Sequence, residues 1–283
     1  MTRSFRLPAV TVLAVVLALL IASTVTPRVH APTVIAFDAA TSNSCTPCVA
    51  TTLSWSHTVG SGSNRILVVG VAMNGPSSVT GVTYGASSLD LYVKSFLGDR
   101  AWMYVLSNPP VGAAMVTVTF ASAFAGSAGA GSVSYFNVQG VGSFNPSDGS
   151  GSLASNTVGS GWGNGIVVDL LRAGSNAAPL SAGAGQTLRW QEPTVGAMSD
   201  KITTTPTTTM TWTLAGGGYG GSWDVLCIGL LPVTVTSTTT TVLGSPVGGF
   251  VESVNKVGVL LPWLTILGCI TAIAIVVWKK REN

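Results

Sequence analysis

The sequence predicts an all-β protein: an antiparallel β-sandwich of jelly-roll-like type, between an N-terminal signal helix and one C-terminal transmembrane helix. Three observations predict it. From residue 34 to residue 231, short runs alternate apolar and polar residues, split by Gly, Asn, Pro and Ser, and no window carries the helical period. Only 8% of residues are charged, while β-branched and aromatic residues recur, which suits a rigid exported β-domain and not a disordered chain. Apolar stretches long enough for membrane work sit only at the two ends.

At the start, Arg3 and Arg6 precede an apolar run over 7–22 and then small and polar residues. That is the layout of a secretory signal, so residues 1–31 read as a signal peptide or, uncut, as a signal anchor. Val29-His30-Ala31 fits the small-residue exit, but Pro32 follows it. A cut near Ser23 is the alternative.

Residues 32–233 form the expected ectodomain. Candidate strands are 34–37, 52–59, 65–73, 79–84, 89–95, 100–106, 115–120, 132–138, 166–172, 186–190, 198–203, 208–214 and 224–231. The segment 66–71 is almost unbroken apolar, as in a central strand covered on both faces. The segment 52–59 alternates, with Leu53, Trp55, His57 and Val59 on one face and Ser54, Ser56 and Thr58 on the other. Asn108-Pro109-Pro110 marks a turn. The glycine-rich stretches 121–131 and 140–165 are expected as exposed loops or frayed edges.

Residues 234–256 read as a Thr-rich stalk (Thr234, Thr236, Thr238 to Thr241) and a Gly248-Gly249 linker, the stalk being a candidate O-glycan acceptor. Residues 257–278 are mostly apolar, and at 1.5 Å per residue a helix there spans about 33 Å, enough for a bilayer. Lys279, Lys280 and Arg281 follow at once, which places the tail 279–283 in the cytoplasm and the large domain outside. The expected localisation is therefore the cell membrane, single-pass, with the membrane as one partner.

The net charge of +3 belongs to the two ends. Residues 32–233 hold eight acids and six bases, a net charge of about −2. No basic patch with interleaved aromatics appears, so nucleic acid is not an expected partner.

Four blocks, "TLSWSHTVGSGSNRILVVGVA", "VTGVTYGASSLDLYV", "RAWMYVLSNPPVGAAMVTVTF" and "GSVSYFNVQGV", in that order resemble a secreted β-sandwich module of unassigned function. That module occurs in exported bacterial and archaeal proteins and in phage-associated ones. The likeness covers residues 34–233. The tail "SPVGGFVESVNKVGVLLPWLTILG" is similar to the C-terminal anchors of archaeal surface proteins. The resemblance implies a sandwich displayed on a cell surface and brings no catalytic residues with it.

Few residues suggest chemistry. Cys45-Thr46-Pro47-Cys48 has thioredoxin-like spacing, but the residues that follow read as a strand, without the helix N-terminus that activates a redox thiol. A disulfide between Cys45 and Cys48 is expected, or a bridge from one of them to Cys227. Cys227 and His57 are too few to add a zinc site. His57, beside Leu53 and Trp55, reads as a hydrogen-bonded core or rim residue, with no nucleophile elbow or paired carboxylates to serve. Asp148 lacks the alternating acids of a calcium loop. No catalytic residue, metal or cofactor is expected. Trp162 and Tyr219 stand in glycine-rich loops and are the candidate ligand-binding residues, able to stack on sugars or partners. The other ectodomain tryptophans, such as Trp55, are expected in the core. The sequence thus predicts a membrane-anchored structural or adhesive display protein of the cell envelope, not an enzyme, or alternatively a carbohydrate-binding surface module. Surface glycans or neighbouring envelope proteins are the expected contacts.

Overall fold

The computed structural model describes residues 34–96, 98–159, 164–174, 179–192, 195–214 and 222–234. The expected signal segment, membrane span and tail, and both Trp162 and Tyr219, lie outside these residues. The chain divides between Thr238 and Thr239, and every described residue falls in the first unit. Among the described residues there are strands and no helices.

The first strands are β1 (Ala36–Cys45), β2 (Thr52–Val59), β3 (Ile66–Asn74), β4 (Val79–Tyr84), β5 (Ser87–Ser88), β6 (Asp90–Lys94), β7 (Ala101–Ser107), β8 (Gly112–Phe120) and β9 (Ser127–Phe136). They build a five-stranded sheet, β1-β9-β3-β7-β6, and a four-stranded sheet, β2-β8-β4-β5. The remaining strands are β10 (Val138–Ser150), β11 (Leu153–Gly159), β12 (Ile166–Ala173), β13 (Leu180–Ala182), β14 (Thr187–Glu192), β15 (Gly196–Ile202), β16 (Thr207–Leu214) and β17 (Ser222–Pro232). They build β10-β17-β12-β15-β14 and β11-β16-β13. All the pairings are antiparallel.

The two five-stranded orders match strand for strand, and β2-β8-β4 matches β11-β16-β13, with β5 an addition of the first half. The same fold is written twice along the chain, and the halves meet at Asn137. Details repeat as well. β3 starts at Ile66 and β12 at Ile166, each just after an Asn in the left-handed region, Asn64 (φ 51°) and Asn164 (φ 74°). The register slips at Tyr92, between Leu91 and Val93 of β6, and again at Arg189, between Leu188 and Trp190 of β14.

Three apolar cores separate four layers. Leu67, Val69 and Val71 of β3 meet Trp55, Val82, Tyr84 and Val116 of the first outer sheet. Val167 and Leu171 of β12 meet Ala154, Met210 and Trp212 of the second. Between the two five-stranded sheets, Ile66, Val68, Val133 and Tyr135 pack on Val168, Leu170, Met198 and Leu226. Successive side chains of β3 and β12 therefore enter two different cores, which is why β3 is apolar from Ile66 to Met73 and β12 is buried along its whole length, Asp169 and Arg172 included. The inner sheets stack so that β1 lies over β14 and β10 over β6, the exchange expected of an approximate two-fold relation between the halves.

One sandwich has two sheets, and this chain has four. The sequence expectation fell short because strands run into both glycine-rich stretches: β9 takes up 127–131, and β10 and β11 take up 140–150 and 153–159. Gly131 of β9, like Gly70 of β3, is there for close approach. A Cβ on Gly131 would lie 2.4 Å from Trp190 Nε1, and one on Gly70 would lie 2.5 Å from Met198 Cε. The bare backbone of the first inner sheet thus receives Met198 and Trp190 of the second.

Candidate functional site

The polar chemistry of the described residues falls into four places. In the first half, β2 turns His57 inward, as its alternation requires, and the ring is 1% exposed. Its Nδ1 lies 2.8 Å from Thr41 Oγ1 and 2.9 Å from Ser132 Oγ, and its Nε2 lies 3.1 Å from Ser134 Oγ. Ser134 donates to Asp38 Oδ2 at 2.7 Å, and that carboxylate also accepts from the Gly60 N–H. Trp55 Nε1 donates to Ser132 Oγ at 2.9 Å. A histidine, serines and an aspartate are present, but the order is wrong for nucleophilic catalysis. The aspartate holds a serine and not the imidazole, and the group is shut inside the sheets. Burial pushes the His57 pKa down to about 4 against the pull of Asp38, so the ring is neutral and ties β1, β2 and β9 together.

The second half repeats this staple with other residues. Asn145 of β10 donates to Asn156 Oδ1 on β11 at 2.8 Å, and Asn156 donates to the carbonyls of Asn145 and Val225. It adds a buried carboxylate. Asp169 accepts from the Ser199 N–H at 2.9 Å, Ser199 Oγ at 2.7 Å and Trp212 Nε1 at 2.6 Å. Burial raises its pKa to about 7, outweighing those donors.

Two ion pairs sit where the halves meet. Arg189 grips Asp200 with two hydrogen bonds (2.7 and 3.0 Å) and lies 3.8 Å over the Phe37 ring, while the buried Tyr135 hydroxyl donates to Asp200 at 2.7 Å. At the other end of β3, Arg172 donates to Asn74 Oδ1 at 2.9 Å and to Asp224 at 3.4 Å, both charged side chains being almost fully buried. Burial lowers the Arg172 pKa and raises that of Asp224. Asn74 also donates to the Ala173 carbonyl, so the pair is stitched across the halves.

Above this pair opens a cleft of about 350 Å³. Gly98 and Arg100 of the first half line one side, and Asp148, Gly149, Arg172 and Ser222–Asp224 line the other. A shallower polar hollow with Phe96, Ser77 and Asp99 shares Gly98 with it.

Cys45 and Cys48 form a disulfide, with Cα atoms 5.0 Å apart, and Cys227 is a buried free thiol. Burial raises the Cys227 pKa well above the usual thiol range, the reverse of an activated nucleophile. Trp55, Trp102, Trp190, Trp212 and Trp223 are all buried. Among the described residues, no three His, Cys, Asp or Glu side chains stand together as a metal site. Sequence reasoning passed over Asp169 and Arg172, although two charges inside the apolar run Val167-Val168-Asp169-Leu170-Leu171-Arg172 are a signal of buried partners. Compared with known proteins, the chain matches no family model and none of the curated proteins.

Proposed function

We propose that this chain is a single-pass surface protein whose two jelly-roll-like halves form a structural and adhesive display body of the cell envelope. In this reading residues 1–31 direct export, 234–256 are the stalk, 257–278 the membrane anchor and 279–283 the cytoplasmic tail. The resemblance to exported bacterial and archaeal modules agrees with it. One observation carries the adhesive part. Every charged residue within a strand belongs to the two inner sheets, from Asp38 of β1 to Asp224 of β17. The outer sheets, β2-β8-β4-β5 and β11-β16-β13, contain no charged residue, and their outward positions are mainly Ser and Thr, such as Ser56, Thr58, Thr119, Thr209 and Thr213. An uncharged hydroxyl face imposes no charge repulsion on a neighbour and hydrogen-bonds to neutral surfaces. The five buried tryptophans also suit a structural body better than an aromatic sugar platform.

Cells carrying the full chain should adhere to one another or to a surface, and Thr58→Glu with Thr209→Glu should abolish adhesion while changing stability by less than about 0.5 kcal/mol each. Adhesion unchanged in that variant overturns the adhesive role. Protease added to intact cells should remove the body and spare a tag at the C-terminus. A tag cut from outside overturns the topology.

The alternative, a carbohydrate-binding surface module, has one observation in its favour. That is the cleft over Arg172 and Asp224, with charged hydrogen-bonding heads at its rim. A glycan array probed with the soluble body tests this reading.

A further inference from the structure

The two-fold repeat supplies an internal control for that cleft. Each half has the same corner, where residues of the other half come against it, Glu192 and Val195 in one case and Gly98 and Arg100 in the other. Register fixes the equivalent positions. Ala72 pairs with Gly129 in the first half as Arg172 pairs with Asp224 in the second, so Ala128 corresponds to Trp223. Thr41 pairs with Ser132 as Asn145 pairs with Cys227, so Ser44 corresponds to Asp148.

At the first-half corner all four positions are small. Glu192 and Val195 of the other half close over them: a Cβ on Gly129 would lie 2.9 Å from Glu192 Cβ and 3.6 Å from Val195 Cβ. That corner is full. At the second-half corner the same positions carry Arg172, Asp224, Trp223 and Asp148, and the 350 Å³ cleft lies open between them and Gly98 and Arg100. Packing alone therefore does not require charge at this corner, since its twin is built from Ala, Gly and Ser.

The charges differ in how they are used. Arg172 and Asp224 satisfy each other, with Asn74 and Ser222 completing the arginine's bonds. Arg100 and Asp148 are exposed at the rim. Among the described residues neither side chain makes a hydrogen bond or an ion pair. The cleft thus presents one donor-only head and one acceptor-only head over a neutralised floor, with net charge zero. A ligand with net charge would meet a like charge on one side. A hydroxyl donates and accepts at once, so adjacent hydroxyls can bond to both heads.

We propose that this cleft is a binding site for a neutral saccharide, in which Arg100 donates to, and Asp148 accepts from, neighbouring sugar hydroxyls. Arg172 is a positioning residue that fixes the Asp224 side of the floor. The site has the size of a small ligand pocket. The inference rests on the carbohydrate reading, and gives it a place and a chemistry.

Titration of the full-length chain by calorimetry tests it, with methyl glycosides of glucose, galactose and mannose as probes and glucuronate and glycine as controls. At least one neutral glycoside should bind saturably. Arg100→Ala and Asp148→Ala should each weaken it by about tenfold or more, the worth of a hydrogen bond to a charged group. Both residues are exposed, so unchanged melting curves should accompany the loss. Saturable saccharide binding that survives both substitutions keeps the carbohydrate reading and overturns this site. Binding of glucuronate or glycine alone, lost in the variants, keeps the site and overturns the neutral ligand. No binding of any saccharide, here and on a glycan array, overturns both.

Discussion

The two halves share a strand order and a bulge but not their polar chemistry. In the first half a histidine lies between hydroxyls, and a disulfide closes the end of β1. In the second, two asparagines make the same cross-strand staple, and a carboxylate occupies the β12 position that Val69 holds in β3. The comparison teaches that this fold depends on where side chains are buried and on partners for the polar atoms buried at equivalent positions, such as His57 and Asn156. Which residues supply the partners is interchangeable.

The largest test of that comparison is to empty the same layer in each half. Trp55→Ala should cost roughly 3–5 kcal/mol, the price of a large core cavity. Trp212→Ala should cost at least the upper end of that range, because it also takes a donor from the buried Asp169. Urea unfolding of both variants measures the difference, and equal losses would mean that the carboxylate adds nothing.

Next in size are opposite pH dependences. Folded His57 has its pKa lowered from 6.5 to about 4, so the unfolded chain binds more protons between those values. Its contribution to stability is present above pH 6.5 and is lost as pH falls through about 4. Folded Asp169 has its pKa raised from 3.8 to about 7, so the folded chain holds a proton that the unfolded one has released. Its contribution is present below pH 3.8 and is lost as pH rises through about 7. Between pH 4 and 6.5 the two slopes, each up to about 1.4 kcal/mol per pH unit, should largely cancel. Asp169→Asn should therefore make stability rise with pH across that window, and His57→Gln should make it fall. Unfolding free energies measured at half-unit steps decide this, and profiles that match the parent in both variants exclude it.

A smaller effect belongs to the first half alone. Cys45→Ala with Cys48→Ala should cost about 2 kcal/mol, the low end for a disulfide, because the closed loop is so short. Hydrogen exchange should quicken in β1 and at the start of β2 and leave β10–β17 unchanged. Exchange quickening equally in both halves would contradict the separation. The smallest expected effect is Trp55→Phe, which keeps most of the ring and loses one neutral bond to Ser132, roughly 0.5–1.5 kcal/mol.

Much of this was readable beforehand. Alternation at 52–59 placed Leu53, Trp55, His57 and Val59 on the buried face, where they are found. The unbroken apolar run at 66–71 marked a strand covered on both sides. The repeat was also in the letters, since Thr58-Val59-Gly60-Ser61-Gly62 recurs as Thr157-Val158-Gly159-Ser160-Gly161. Residues such as Trp55 and Ala154 then diverged enough to hide it. The glycines of β9 misled because a glycine that receives a ring and a glycine that turns a loop are the same letter.

By itself, the sequence determined what local chemistry can determine: strands from a two-residue period, inward faces from alternation, a disulfide from two nearby cysteines, and charge confined to a few segments. Only the tertiary structure decided what those charges meet. Arg172 finds Asn74 and Asp224, Arg189 finds Phe37, and Arg100 joins Asp148 in lining one cleft, all across long stretches of chain. Stacking two five-stranded sheets face to face brings those strands together, and no local pattern encodes which edge will lie over which.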